Sequence, residues 1–320
     1  MKRIRSVNEG QVGRDYIEVG SFPDGERIRI PLLIARGERP GPILWMSASM
    51  HGPELAGLAV IQRLLTEPDG MDLSQLEGTI VAAPALNPLG IRNLRYYNFE
   101  DGENLSGCFP GDAEGGLTSR TGAAIWEVVS QADFVVDLHT NPDQALKFSA
   151  VDLCGPRETQ EMALGMAEAF GVTVTVHPEP GGGMLASCMR RGIPSLLVEL
   201  TPWWRIDPAS TETGVRGMLN VLRFLKMLAG PGEKLAGEKV LSGRYVRRLY
   251  TASEGGYGFP LKDPGDAVAA GEVFLVLRSP FGDVVQEFAA PEPGFVLAYP
   301  WLSQAVPTGD LVAFTVHQFD

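Results

Sequence analysis

Histidine is scarce in this sequence, with four in 320 residues, and so is cysteine, with three. Cys108, Cys154 and Cys188 are odd in number, widely spaced and without a C-x-x-C pair. That pattern argues against a disulfide framework and favours a reducing compartment. Basic runs are also missing. With 27 Lys and Arg against 39 Asp and Glu, the net charge is -12, which argues against nucleic acid or an acidic membrane face as partner. Long apolar runs are absent too. The stretch Met1 to Gly10 carries charge but no apolar segment behind it, so neither secretion nor membrane spanning is expected, and a cytoplasmic location is. No internal repeat or low-complexity segment stands out.

What is present is an alternation. Apolar strand-like runs at 43–50, 79–85, 133–139, 172–177 and 194–200 are interleaved with helical patterns at 54–66, 118–131, 157–170 and 208–229. This predicts an α/β fold, a mainly parallel or mixed sheet with helices on both faces. Ile28 to Ile34 reads as an edge strand of the same unit. Gly230-Pro231-Gly232 ends the last helix, and short strands separated by Gly and Pro follow, among them 273–277, 294–297 and 311–316. The expected division is a catalytic domain over residues 1–230 and a small β-barrel-like domain over 231–320.

Two of the four histidines end apolar strands. His51 closes the run from Pro42 to Met50, with Glu54 opening the next helical pattern, and His139 closes Phe134-Val135-Val136-Asp137-Leu138. Both would emerge at one sheet edge, where open α/β folds place their ligands. Two imidazoles and a carboxylate are a donor set for one zinc ion per chain with a position left for water. Gly52 would let the turn between His51 and Glu54 bend tightly. Asp137, two residues before His139, suits a carboxylate that orients a ligand imidazole, with capping of a local turn as the competing role. His177 and His317 have no carboxylate at ligand spacing and read as structural or surface residues.

The order H-G-x-E at residues 51–54, then Asn87-Pro88 with an arginine soon after, Phe109-Pro110-Gly111, Asp137-Leu138-His139-Thr140, and a glutamate closing an apolar strand resembles the succinylglutamate desuccinylase and aspartoacylase family of zinc carboxypeptidase-like enzymes. The resemblance covers about residues 25 to 225. The segment from Gly255 to Glu272 looks like that family's β-barrel-like module, similar in outline to a biotinyl or lipoyl domain. Lys262 in it lacks the flanking pattern of a modified carrier lysine. The resemblance implies His51, Glu54 and His139 as metal ligands and Glu199, in Ser195 to Leu200, as general base. A buried unpaired carboxylate is costly enough to need a reason, although a strand-end glutamate facing water is the bland alternative. It further implies Arg95, with Arg92 as the alternative, as the donor aimed at a developing oxyanion.

The departures bear on specificity. Where the family has an Asn-Arg pair that grips a substrate carboxylate, this chain reads Ser106-Gly107. Serine and glycine cannot imitate a guanidinium fork, so the substrate lacks that carboxylate or another arginine, Arg205 or Arg190, replaces the lost one. After Glu199 come Trp203, Trp204 and Arg205. The paired tryptophans would wall an apolar pocket or simply pack the loop. The leading expectation is a zinc-dependent hydrolase that cleaves the amide of a small N-acylated amine or amino acid, with weak dependence on a carboxylate. A zinc carboxypeptidase acting on peptide C-termini and a non-catalytic binding module are the alternatives. Formation of a homo-oligomer stays open.

Overall fold

The computed structural model describes residues 7–142, 144–300 and 304–319. In chain order its elements are β1 (Gln11–Ser21), β2 (Arg27–Arg36), β3 (Arg39–Ala48), α1 (Ala56–Leu65), β4 (Glu77–Ala83), α2 (Pro88–Asn93), α3 (Leu117–Val129), β5 (Phe134–Thr140), β6 (Phe148–Asp152), α4 (Arg157–Phe170), β7 (Thr173–His177), α5 (Met184–Arg190), β8 (Ser195–Leu200) and α6 (Pro208–Phe224). The C-terminal part adds β9 (Arg244–Thr251), β10 (Gly256–Pro260), β11 (Ala267–Val268), β12 (Val273–Arg278), β13 (Val284–Ala289), β14 (Gly294–Ala298), β15 (Ala305–Val306) and β16 (Leu311–Gln318).

The α/β expectation holds, with a mixed sheet. Twelve strands run in the order β1-β2-β4-β3-β5-β8-β6-β7-β9-β16-β14-β11. The centre, β4-β3-β5-β8, is parallel, whereas β6 pairs antiparallel to β8. Central strands are buried on both faces, so they read as continuous apolar runs. In β3, Leu44, Met46 and Ala48 enter a core shared with α1, α4 and α6. Trp45 turns the other way, into a core shared with α3 and α5. Helices therefore cover both faces, and the strand period of two sorts the side chains between them.

Several boundaries differ from expectation for local reasons. The first helical pattern begins at Ala56 rather than 54, because residues 51–55 form the turn that carries the ligands. The last stops at Phe224, and Lys226 at φ 58 turns the chain out of the helix. Ile28 to Ile34 belong to β2, which is not the edge strand. β2 lies between β1 and β4, and β1 takes the edge. β1 had no apolar run to announce it, since only Ile17 of its eleven residues is buried. The short β6 and α5 also went unread.

The C-terminal strands do two things. β13-β12-β10-β15 form a separate four-stranded sheet whose Phe274, Leu275 and Phe288 share an apolar cluster with Val268, Val296 and Val312 of the main sheet. β9, β16, β14 and β11 extend the main sheet, with β9 parallel to β7 through Val174↔Arg244, Thr175↔Tyr245 and Val176↔Val246. This docking brings residues after 240 to the edge of the site. Lys262 forms an ion pair with Glu272 at 2.7 Å. Among the described residues no helix is long and apolar enough to cross a membrane.

Candidate metal centre and pocket

At the C-terminal ends of β3, β5 and β8 the chain gathers a buried polar cluster. Its first part is local. Ser49, at φ 59, takes the left-handed conformation and its hydroxyl donates to the Glu54 carbonyl at 2.8 Å. This closes the turn that holds His51 and Glu54 together. Gly52 is required there by crowding rather than by an unusual φ, which differs from the expectation of a tight bend. A Cβ at Gly52 would lie 2.1 Å from the Gly90 carbonyl oxygen, and the Gly52 amide donates to the Arg95 carbonyl at 2.9 Å. Asn87 caps α2 by accepting from Gly90 N at 3.1 Å, and its amide donates to the Met50 carbonyl at 3.0 Å. The Asn-Pro motif thus braces the residue next to His51.

His139 arrives from β5. Its Nδ1 lies 3.2 Å from Glu54 Oε2, while His51 Nδ1 lies 2.7 Å from Glu54 Oε1. The three ligand atoms lie within 4.8 Å of one another, and all three residues are buried. The far side of each imidazole is held. His139 Nε2 donates to Asp137 Oδ2 at 2.9 Å, Ser47 Oγ donates to Asp137 Oδ1 at 2.7 Å, and Trp45 Nε1 donates to Ser47 Oγ at 3.0 Å. Both Asp137 carboxylate oxygens are thus engaged, one by the His139 ring and one by Ser47. His51 Nε2 faces Asn104 Oδ1 at 3.2 Å, an oxygen that also accepts from Ser106 Oγ and Ser106 N, each at 3.0 Å. A divalent cation replacing the proton on each Nδ1 would find both outer nitrogens already placed to donate, with both Nδ1 atoms and Glu54 converging on it.

Without a metal, the imidazoles themselves supply positive charge: although burial opposes it, the Glu54 and Asp137 carboxylates raise the His139 ring well above the usual histidine range. Burial opposes ionisation of Glu54, yet His51 and His139 pull its carboxyl down to about 2. Glu54 Oε2 is nonetheless a buried oxygen without a hydrogen-bond partner, an arrangement that a bound divalent ion would satisfy. Glu199, register partner of His139 on β8, behaves oppositely. Burial pushes its carboxyl up to about 7, with Glu54 adding to the rise and His139 opposing it. Its Oε2 is also buried and unpartnered. Two carboxyl groups in one site, one held ionised and one poised near neutrality, differ enough to divide ligand and proton-transfer roles.

Around this cluster is a cavity of about 810 Å³, within the usual range for small-molecule sites. His51, Glu54, Asp137, His139, Ser106, Glu199 and Trp203 line it, and Gly107, Trp204, Arg205 and Arg95 do not. Trp203 donates from Nε1 to the Thr140 carbonyl, whereas Trp204, at φ 67 and 51% exposed, faces away. Arg95 is exposed, with its guanidinium 5.6 Å from the centre of the Phe99 ring. Arg92 is drawn to Glu26 at 2.5 Å and stacks on Phe22. The next residue, Tyr96, turns inward instead and stacks on His51, with ring centroids 3.7 Å apart. Arg190 donates to the Pro180 and Gly181 carbonyls. Neither Arg190 nor Arg205 enters the pocket.

The residues that sequence reasoning missed come from the sheet beyond β8. His177 is not a plain surface residue. It lines the pocket beside Asp152 and Arg247, the last of these on β9. Phe314, Leu311, Val306 and Pro307 form the wall behind them. No spacing signal links Arg247 to His139, because they meet only through the docking of β9 on β7.

With this geometry in hand, comparison with known proteins is informative. Residues 40–225 match the Succinylglutamate desuccinylase/Aspartoacylase catalytic domain. The chain belongs to that family. Over 153 residues it is 29% identical to an N-alpha-acetyl-L-2,4-diaminobutyric acid deacetylase of Halomonas elongata, a match that covers 47% of this chain and 43% of that protein. The match therefore spans less than half of the curated relative's length. A succinylglutamate desuccinylase/aspartoacylase structure from Rhodobacter sphaeroides superimposes with a TM-score of 0.84 at 24% identity, covering 98% of both chains. The product-bound ectoine utilization protein EutE (DoeB) of Ruegeria pomeroyi gives 0.84 at 21% identity, covering 97% of this chain and 96% of that one. At such identities the superpositions establish a shared fold, including the C-terminal strands that lie beyond the matched domain.

Proposed function

We propose that this protein is a zinc-dependent amidohydrolase that removes the acyl group from a small N-acylated amine or amino acid. The observation that carries the reading is the pairing of a buried His51–Glu54–His139 cluster with the half-buried Glu199 beside it, whose Oε2 is buried and unpartnered. The family and the deacetylase named above support the same class of reaction. His51 Nδ1, Glu54 and His139 Nδ1 would hold the metal, which when bound supplies Lewis-acid polarisation of a carbonyl and a more acidic water.

The rest is the work of the chain. Glu199, poised near 7 by burial, accepts the proton of the attacking water at its free oxygen and delivers it to the leaving nitrogen. Asp137 and Asn104 keep the two imidazoles in the tautomers that leave Nδ1 free. Tyr96 and Trp203, with ring centroids 6.1 Å apart, supply aromatic wall beside the cluster. The oxyanion role assigned to Arg95 requires its guanidinium to leave Phe99 and swing inward. Residues 1–230 act as the catalytic unit and 231–320 as the module that closes its far wall. A cytoplasmic location is part of the same reading.

The test is hydrolysis of a panel of N-acetyl amino acids before and after dialysis against a chelator. Activity lost on chelation and restored by zinc is the expected result. Hydrolysis that survives complete metal removal, or no hydrolysis of any member by the zinc-loaded protein, overturns the reading.

A further inference from the structure

Arg247 stands on β9, outside the matched catalytic domain, yet among the described residues lining the cavity it contributes the only Lys or Arg side chain. Its guanidinium lies over the rings of Phe148 and Phe314, at 5.2 and 5.5 Å from their centroids. Phe148 is the register partner of Glu199 across β6 and β8, which sets the cation beside the proposed base. Taking a guanidinium out of water is expensive and is normally offset by a carboxylate at contact distance. None is there. Among the described residues no carboxylate oxygen lies within 4.0 Å of Arg247, and its hydrogen bonds go to His177 Nε2 alone. Burial accordingly lowers its pKa, with Glu199 and Asp152 opposing the shift.

The neutral partner is informative. Arg247 Nε donates to His177 Nε2 at 2.8 Å, so that nitrogen is an acceptor. His177 Nδ1 then carries the proton and donates to Asp152 Oδ1 at 2.9 Å. An Asp–His pair thus holds the Nε–Nη2 edge of the guanidinium, and Nη1 has no hydrogen-bond partner among the described residues. A planar fork held in this way matches a carboxylate in a bidentate pair. Geometry adds a second constraint. In an N-acyl α-amino acid, one carbon separates the amide nitrogen from the carboxylate. A carboxylate on Arg247 would therefore bring the scissile nitrogen toward Glu199, where a proton must be delivered.

From this we infer that Arg247 is a specificity-determining residue of the pocket, the receptor for the anionic group of the substrate in place of the missing Asn-Arg pair. The inference rests on the deacylase reading above. It replaces the weak carboxylate dependence expected from Ser106 and Gly107: the grip enters from the opposite wall, on a C-terminal strand.

The experiment uses N-acetyl derivatives of glycine, alanine, phenylalanine and 2,4-diaminobutyrate, each paired with its carboxamide, on the full-length parent, Arg247→Met and Arg247→Lys. Calorimetric binding to metal-free protein is measured beside kcat/KM of the zinc-loaded protein. At least one acid should exceed its carboxamide tenfold or more in both readouts on the parent. Arg247→Met should lose at least tenfold more on the acid than on the carboxamide, and Arg247→Lys should recover part of the difference. Parent protein that binds acid and carboxamide alike overturns the inference and needs no variant to fold. Equal losses on both members of a pair in Arg247→Met also overturn it, since they mark a structural role. If no substrate is hydrolysed but the acid binds tenfold tighter and Arg247→Met abolishes that preference, the deacylase reading fails and the anion receptor stands.

Discussion

Replacing Glu199 by glutamine keeps the shape of the side chain and removes its charge, so it separates chemistry from folding within one variant. In the folded protein, burial raises the Glu199 carboxyl from 4.5 to about 7. The folded state therefore holds this proton more tightly than the unfolded chain does. The contribution of Glu199 to stability is complete below about pH 4.5, declines as pH rises toward 7, and above that has lost about 3 kcal/mol. Glutamine cannot ionise and suffers no such decline. Metal-free Glu199→Gln should consequently be more stable than the metal-free parent by up to about 3 kcal/mol at pH 8, and by less than about 1 kcal/mol at pH 5. Urea unfolding in the presence of chelator at the two pH values measures both differences. With zinc restored, the same variant should lose roughly 100-fold or more in kcat, the scale of general acid–base catalysis, while its metal content stays near that of the parent. A stability difference that is the same at both pH values would show that Glu199 is not held protonated by burial. Substantial turnover would place the base elsewhere.

The metal ligands give a second expectation. His51→Ala and His139→Ala should each leave the protein nearly devoid of zinc by elemental analysis, and Asp137→Asn should weaken zinc binding by roughly 10- to 100-fold without abolishing it; full occupancy in both alanine variants refutes the assignment. The tryptophans should separate. Trp203→Ala, which opens the lined wall and frees the Thr140 carbonyl, should raise KM at least several-fold. Trp204→Ala should leave KM within twofold, because this exposed ring lies outside the cavity; equal effects would show that the loop rearranges on binding. For Arg95, a swing from Phe99 into the site predicts that Arg95→Met lowers kcat by roughly 100-fold, the cost of one oxyanion donor, with metal content unchanged. A loss below threefold would remove Arg95 from the chemistry.

The readings that held from sequence alone rest on short-range physics. His51 and Glu54 are three residues apart at a strand-to-helix turn, so their meeting depends on local backbone closure, which Ser49 and Gly52 secure. The apolar run before His139, broken only by Asp137, announced a strand buried on both faces, and placed that histidine at the same sheet edge. Asp137 follows from the strand period of two, which puts it on the same face as His139. What the tertiary structure decided is of another kind. The pairing of β9 with β7 carries Arg247 across the sheet to Glu199, and no local pattern encodes which strand a chain segment will join. β1 escaped notice because one buried residue on an edge strand leaves almost no hydrophobic signal. The choice of Tyr96 rather than Arg95 to face inward, and of Trp203 rather than Trp204, turns on the direction of a loop backbone. Adjacent residues share one composition and one position in a motif, and only three-dimensional packing assigns them to opposite sides.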